Sequence, residues 1–532
     1  MTNVALDRVT DEVTSSQIFR IRGQMSRWKY PDPYNRLTPE HCEILTNVNI
    51  SERGIAESRN GYVKYNNATL TGGETVVGLW QGKFSNGETK QVVVTPTKVY
   101  SDPGGTGSAR VDITGSDLTG SANDLVNFSF TKNQLILNNT VDPPRVWNGD
   151  DDSSPTNTSN LSAIANAQVP FTKAKCMIVH KNLLMAFGTT EGGTYYPTRA
   201  RWCDINRRTY VVDISVWRAD NLYEIYDGGP AIVAAADAWG KALIFKEDGM
   251  YPGEVIFAPQ PGHYDFQIDR PQRGFSPISR MGVVARPEFV MCPAREGLVV
   301  IRPDLSFEVA NSDDVTTWLG LNQNRLANTQ SFVREREHQV RILCNSSGSS
   351  SGHDKVLVWD WETNDTWLDE PADSINYGAN LVISDNELDW LGSTSGVLFR
   401  GNEADSTTDN GNGIDWLIKM SPNDLGMPGK LKHILNIRTI HRRRAAEQTV
   451  SMRVHIDQGR GATVTGLLSI GSTELTWDSG IFWNDDKRWV GSGSRVSDFY
   501  VNRVCETVAP EWWSSDPAAI EGYQVEYIPL EN

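Results

Sequence analysis

The sequence predicts an all-β fold: a β-propeller of six to eight blades, preceded by an extended N-terminal arm and followed by a small β-rich domain. Three observations point there. A strand–turn–strand phrase recurs as "SFTKNQLILNN", "MIVHKNLLMAFG", "ADAWGKALIFKEDGMY", "MCPAREGLVVIRPD" and "DNELDWLGSTSGVLFRG", at intervals of roughly fifty residues, within the range of propeller blades. The 45 Gly residues, with Asn and Asp, supply turns, and the 17 Trp residues favour strands. An apolar 3.6-residue period, which an α-solenoid needs, is absent. One small sheet cannot bury both of its faces, whereas each blade of a ring packs against its neighbours.

The elements follow in order. Residues 1–47 are Arg-, Pro- and Tyr-rich, and the prolines flanking Asp32 exclude regular helix or a central strand there. This stretch reads as an arm that docks on something larger, with a short helix beginning near Thr38-Pro39, an N-cap followed by a first-turn proline. Residues 48–400 carry about seven strand–turn–strand units. The first has a hairpin at Ser85-Asn86-Gly87, and strands of successive units end on Tyr100, Trp147, Trp202, Tyr251, Trp359 and Phe399. Residues 401–429 form a polar linker. Residues 430–532 read as the β-rich domain, with strand-like runs at 434–440 and 450–456 and a final strand in "IEGYQVEYIPLEN".

Composition narrows the function. A formal net charge of −16 argues against a surface broadly dedicated to gripping nucleic acid, yet permits one past which it slides. Six scattered cysteines form no CxxC pair and no disulfide framework, and read as small buried hydrophobes of a reducing cytoplasm. The acidic first residues predict no signal peptide, and no run is long enough for a membrane span. Nucleophile elbows, HExxH, Walker loops and Rossmann glycines are absent, so no catalytic residue, cofactor or metal is assigned. The eight histidines read as turn or surface residues. The oxygen-rich stretches 148–154 and 404–415 read as solvated loops, since neither follows the EF-hand order. The basic run His441–Arg444 is either a solvated, salt-bridged patch or a contact for an acidic partner. Trp512-Trp513 is either core or an interface anchor. The suspected interface residues are therefore Phe19, Arg20, Arg22, Tyr30 and Tyr34 of the arm, Arg442, Arg443 and Arg444, and Trp512 and Trp513.

The order of phrases also resembles a known family. "EILTNVNISERGIAESRNGYVKYN", through Asn47, Ser51, Gly54, Arg59, Gly61 and Tyr62, is similar to the opening of podovirus-type tail hub or nozzle proteins of tailed phages. "NQLILNNTVDPPRVWNGD" fits their next phrase at Asn138, Asp142, Pro144, Trp147 and Gly149, with Asn139 where Gly is usual. "VHKNLLMAFGTTEGGTYYPTRARWCDIN" follows, departing at Leu183, where Arg is common, and at Cys203, where Ser is common. "GGPAIVAAADAWGKALIFKEDGMYPGEV" and "REGLVVI" continue the order, and the likeness covers roughly 17–370. It implies a structural virion protein of the tail, made in the host cytoplasm and without catalysis. It implies a propeller in each subunit and a homohexameric ring below the portal and its adaptor protein. That ring would bound the channel for genomic DNA, hold the packaged genome, conduct it on ejection, and carry fibres, spikes or a needle. The competing expectation is a propeller that binds or hydrolyses host glycans, as sialidases do. The stretch 472–477 is similar to their Asp-box turn but lacks the Asp and the Gly and occurs once.

Overall fold

The second strand of every repeated phrase is buried along most of its length. This holds for Thr89–Val94, Gln134–Asn138, Leu183–Glu191, Lys241–Lys246, Gly297–Ile301, Gln339–Cys344 and Asn386–Ser393. Successive strand residues point to opposite faces, so such burial requires a neighbour on each side. A computed structural model supplies those neighbours. It describes residues 17–22, 26–28, 41–51, 55–65, 70, 73–102, 110–150, 157–161, 171–206, 211–226, 229–257, 264–310, 320–349, 352–401, 406–442, 448–461, 463–470 and 494–530. The chain divides into two compact units, one of residues 60–412 and one combining 1–59 with 413–532.

The 60–412 unit is a β-propeller of seven antiparallel sheets, within the predicted six to eight. Blades 1 to 7 begin with the strands Gly78–Lys83, Asn127–Thr131, Phe171–His180, Ile232–Ala238, Val284–Ala285, Gln330–Arg334 and Ile375–Ile383. Each first strand lies against that of the next blade, and blade 7 lies against blade 1, so the circle is closed. Blades 2, 3, 4 and 7 join first to second strand through two residues that both have positive φ: Lys132-Asn133, Lys181-Asn182, Trp239-Gly240 and Ser384-Asp385. That is the hairpin turn whose twist matches paired strands, and it is what the recurrent phrase encodes. Apolar packing links the blades in turn from 7 through 1 to 6. One apolar cluster joins blades 7, 1 and 2, another joins 2, 3 and 4, and two more bridge 4 to 5 and 5 to 6.

Neighbouring inner strands are also tied by side chains acting as extra backbone. The Gln81 amide both donates to and accepts from Val382 (3.0 and 2.8 Å), joining blades 1 and 7. Gln330 does the same with Gly378 across blades 6 and 7 (2.8 and 2.9 Å). Between blades 2 and 3, Asn127 accepts from the Met177 amide and Ser129 donates to its carbonyl, both at 3.0 Å.

Blade 7 takes its fourth strand from the other end of the unit. Tyr62–Lys64 pairs antiparallel with Leu398–Gly401 in the register Phe399↔Lys64 and Gly401↔Tyr62. Tyr62 is buried, its ring 4.9 Å from Phe399, and its hydroxyl accepts from the Asp373 amide at 2.8 Å. Gly61 has no room for a side chain, since a Cβ there would overlap the Thr408 backbone.

The second unit corrects the expected domain plan. The predicted arm, linker and C-terminal domain are not three parts. Gln17–Arg22 pairs along Ala519–Pro529, His41–Thr46 pairs with Trp416–Met420 from the supposed linker, and Trp416–Met420 pairs with Val508–Ser514. Residues 48–59 also belong here rather than to the propeller, as Val48–Ile50 and Ala56–Ser58 extend the sheet of Ala519–Pro529 and Lys432–Arg442. Two sheets face each other across a core of Ile434, Ile437, Val450, Met452, Val454, Trp512, Tyr523 and Val525. The helix expected at Thr38-Pro39 lies outside the described residues.

The clasp is testable. Gly61→Ala is expected to lower unfolding stability by about 1–3 kcal/mol through overpacking. Gly348→Ala, with open space around it, should stay within about 0.5 kcal/mol. Urea denaturation of both variants checks this; equal midpoints would mean that the clasp contributes nothing.

Candidate assembly surface

The phrases singled out in the sequence fall on joints. In the second unit, the Asn47 amide donates to the Asp415 carbonyl (2.7 Å) and its oxygen accepts from buried Arg59 (2.9 Å), locking the hairpin that holds Ser51. In the propeller, Asp142 accepts from the Thr119 amide (2.9 Å), the Thr119 hydroxyl (2.6 Å) and Asn139 (2.7 Å), pinning the link between blades 1 and 2. Burial works against the Asp142 carboxylate, but these donors and the Arg145 charge hold its pKa below the usual value. Arg145 donates to the Thr114 carbonyl (2.6 Å) and the Asp117 carbonyl (3.2 Å). Buried Trp147 packs edge-on to Phe84, and Gly149, at φ +87°, leaves that ring no space for a Cβ. The two positions at which the third phrase departs from the resemblance have local explanations. Cys203 Sγ accepts from the Leu184 amide at 3.1 Å, as a Ser would, and Leu183 is fully buried.

The strand-entry end of the propeller axis is occupied by the link between blades 4 and 5. Within this link, Ile278 packs on the blade 5–6 cluster and Ser279 is buried, its hydroxyl donating to the Thr329 carbonyl. The Met281 carbonyl accepts from Ser331 of blade 6 (3.1 Å), and its side chain joins the cluster of blades 7, 1 and 2. Arg280 reaches the other way, donating to the carbonyls of Leu125, Asn138 (3.4 Å) and Lys175 (3.4 Å). Nothing in "SPISRMG" signals this, because the segment follows no strand or helix period.

Of the suspected interface residues, Tyr30, Tyr34, Arg443 and Arg444 lie outside the described residues, as do the side chains of Arg20 and Arg22. Phe19 is half-buried opposite Val525. Arg442 is at the surface, 3.8 Å from Glu57 and 3.7 Å from Glu521. Trp512 is core and not an anchor: it is fully buried, its ring 5.7 Å from Tyr523 and its Nε1 donating to Thr439 at 2.9 Å. Trp513 points to the opposite, outer face of the same strand, where the Arg453 guanidinium lies 4.9 Å from its ring. In register across four strands there lie Leu417, Trp513, Ser451 and Leu467, and Leu467 is 71 % exposed. A parallel row of Lys419–Glu43 (2.8 Å) and Arg453–Glu511 (3.4 Å) pairs runs beside it. This outer face is the candidate surface, and the sequence marks it only through Trp513.

Groups with reactive potential are largely shut away. All six cysteines are buried and free, and burial pushes Cys176, Cys203, Cys344 and Cys505 up to about 12. His180, His353 and His441 are buried, not surface residues as expected from the sequence, and each has a polar partner. His180 Nδ1 is 2.6 Å from the Asp237 carboxylate, His353 Nδ1 is 3.0 Å from Asn345 Oδ1, and His441 Nε2 is 3.0 Å from the Ser497 hydroxyl. Among the described residues, no three His, Cys, Asp or Glu side chains gather as a metal site, and no helix is long and apolar enough to cross a membrane.

No family model and no curated protein matches the chain. Solved structures similar to it include BBS1N in complex with ARL6DN. With mercury-soaked crystals the identity is 11 % and the TM-score 0.37; with lead-soaked crystals they are 10 % and 0.39; each match covers 65 % of this chain and 99 % of that one. The Pan2 WD40 domain of Neurospora crassa is 9 % identical, with TM-score 0.37, over 65 % of this chain and 96 % of its own.

His353 gives the fold a pH signature. Burial, reinforced by the nearby Arg325 charge, lowers its pKa from the ordinary 6.5 to about 3. The folded state therefore keeps the imidazole neutral, while the unfolded chain takes up a proton first. The contribution is intact above about pH 6.5 and is lost as pH falls toward 3, at up to about 1.4 kcal/mol per pH unit. Denaturation midpoints between pH 7 and 4 should fall less steeply in His353→Gln than in the unsubstituted protein; parallel slopes would contradict this.

Proposed function

We propose that this protein is a structural subunit of a phage tail, a hub or nozzle whose function comes from assembly and not from catalysis. Copies form a ring, a homohexamer, below the portal and its adaptor, and the ring bounds the passage for genomic DNA and carries fibres or tip proteins. The observation that carries the reading is where the ordered phrases fall. Asn47–Arg59, Tyr62–Gly401, Asn139–Asp142, Trp147–Phe84 and His180–Asp237 are contacts that build and join the sheets. A family that shares this series would share it because these joints set the shape of its subunit. The net charge of −16 suits a wall past which phosphate slides. The outer face bearing Trp513, Leu417 and Leu467 is the surface offered to a neighbouring copy.

Native mass spectrometry and negative-stain imaging of the full chain test this, with a closed ring expected. A chain that stays monomeric at tens of micromolar and is missing from particles would remove the proposal. Leu467→Asp should raise the concentration at which the ring dissociates by about tenfold or more. Its melting temperature should hardly change, because that side chain contributes little to the fold. An unchanged dissociation concentration would place the contact on another face.

A further inference from the structure

Among the described residues, one of the propeller's partly buried lysines has no partner for its ammonium. Lys90, Lys98, Lys181, Lys241 and Lys355, all partly buried, each meet a carboxylate. Buried Lys246 donates to the Ile225 carbonyl at 2.8 Å. Lys175 is half-buried too, on the first strand of blade 3, yet its ammonium makes no hydrogen bond or ion pair among the described residues. Its stem runs across Gly188, where a Cβ would stand 2.9 Å from the Lys175 Cβ and 3.4 Å from the Tyr195 hydroxyl. Tyr195 rises from the long second hairpin of blade 3 and is 49 % exposed.

The second cation is Arg280 at the axis. It donates to three backbone carbonyls, one of them that of Lys175 itself, and to no carboxylate. Carbonyls position a guanidinium but leave its charge uncompensated. Asp124 lies within electrostatic range of Arg280, and Glu247 within range of Lys175 and Tyr195, but neither forms an ion pair with either cation. Cys176, within electrostatic range of both cations, is a neutral thiol. Burial, and for Lys175 the neighbouring Arg280 charge, lower the pKa of both cations. Both are therefore held in a place that disfavours charge without a partner.

We propose that the niche between Lys175, Arg280 and the Tyr195 hydroxyl, on the strand-entry face of the propeller, binds an oxyanion of the phosphate type. The ammonium and the guanidinium supply charge, the phenol supplies a directed donor, and the Leu125, Asn138 and Lys175 carbonyls hold the guanidinium in place. Glu247 limits how much negative charge the niche accepts. The phosphate is either free in solution or part of a nucleic-acid backbone.

Calorimetric titration of the full chain at low ionic strength separates the cases. Inorganic phosphate is expected to bind at one site per chain with a dissociation constant of about 1 mM or lower. Lys175→Met should weaken it by about tenfold or more, and Glu247→Gln should tighten it. A melting-temperature increase in phosphate over chloride at equal ionic strength should be lost in Lys175→Met, which also shows that this variant is folded. A short single-stranded oligonucleotide competing at equal phosphate concentration identifies the backbone as the source; failure to compete identifies free phosphate. Equal phosphate binding by Lys175→Met and the unsubstituted chain, or no binding at either, would overturn the proposal.

Discussion

Everything in the propeller depends on burying second strands on both faces. Leu184, Ile244 and Val299 are fully buried although they sit in sheets of four or five strands, so each blade needs a neighbour on each side. A row of blades would leave two of these strands bare, at about 1.5–3 kcal/mol per large apolar side chain. Closure is therefore obligatory, and it is secured where blade 7 borrows Tyr62–Lys64. The Gln81–Val382 and Gln330–Gly378 pairs fix how neighbouring inner strands sit once apolar burial has brought them together. Hydrophobic area drives the closure, and the buried amides specify its register.

The blades were legible in the sequence because the turn chemistry is local. Lys132-Asn133, Lys181-Asn182 and Trp239-Gly240 announce a tight hairpin through the residues that tolerate positive φ, and the apolar runs after them announce strands. Chain-end pairing was not legible. Nothing in "YVK" says that it completes a sheet with residues more than three hundred positions later, and nothing in "QIFRIR" names Ala519–Pro529 as its partner. Trp512 and Trp513 show the same limit at one peptide bond: alternation says that they face opposite ways, but only the second sheet decides which one is core. Buried His180 was misread because its partner, Asp237, lies 57 positions further along the chain. The phosphate niche was invisible for a like reason, as Lys175 and Arg280 meet only through the fold.

The axial link has a bearing on the proposed assembly. Ile278, Ser279, Arg280 and Met281 together touch blades from both halves of the circle, so the subunit is filled at that end by its own chain. A DNA duplex has no way through a single copy. In a ring of copies the passage lies between subunits, and its width follows from how many there are and not from how many blades each has.

The clasp also sets an order on synthesis. The strand at Tyr62–Lys64 leaves the ribosome long before Leu398–Gly401 exists to receive it, and Gln17–Arg22 waits longer still for Ala519–Pro529. At roughly 5–20 residues per second, these early strands spend tens of seconds with unpaired edges while the blades between them accumulate. A nascent chain in that condition is open to pairing with a neighbouring nascent copy, so the same economy that seals the finished circle makes its production sensitive to crowding on the messenger.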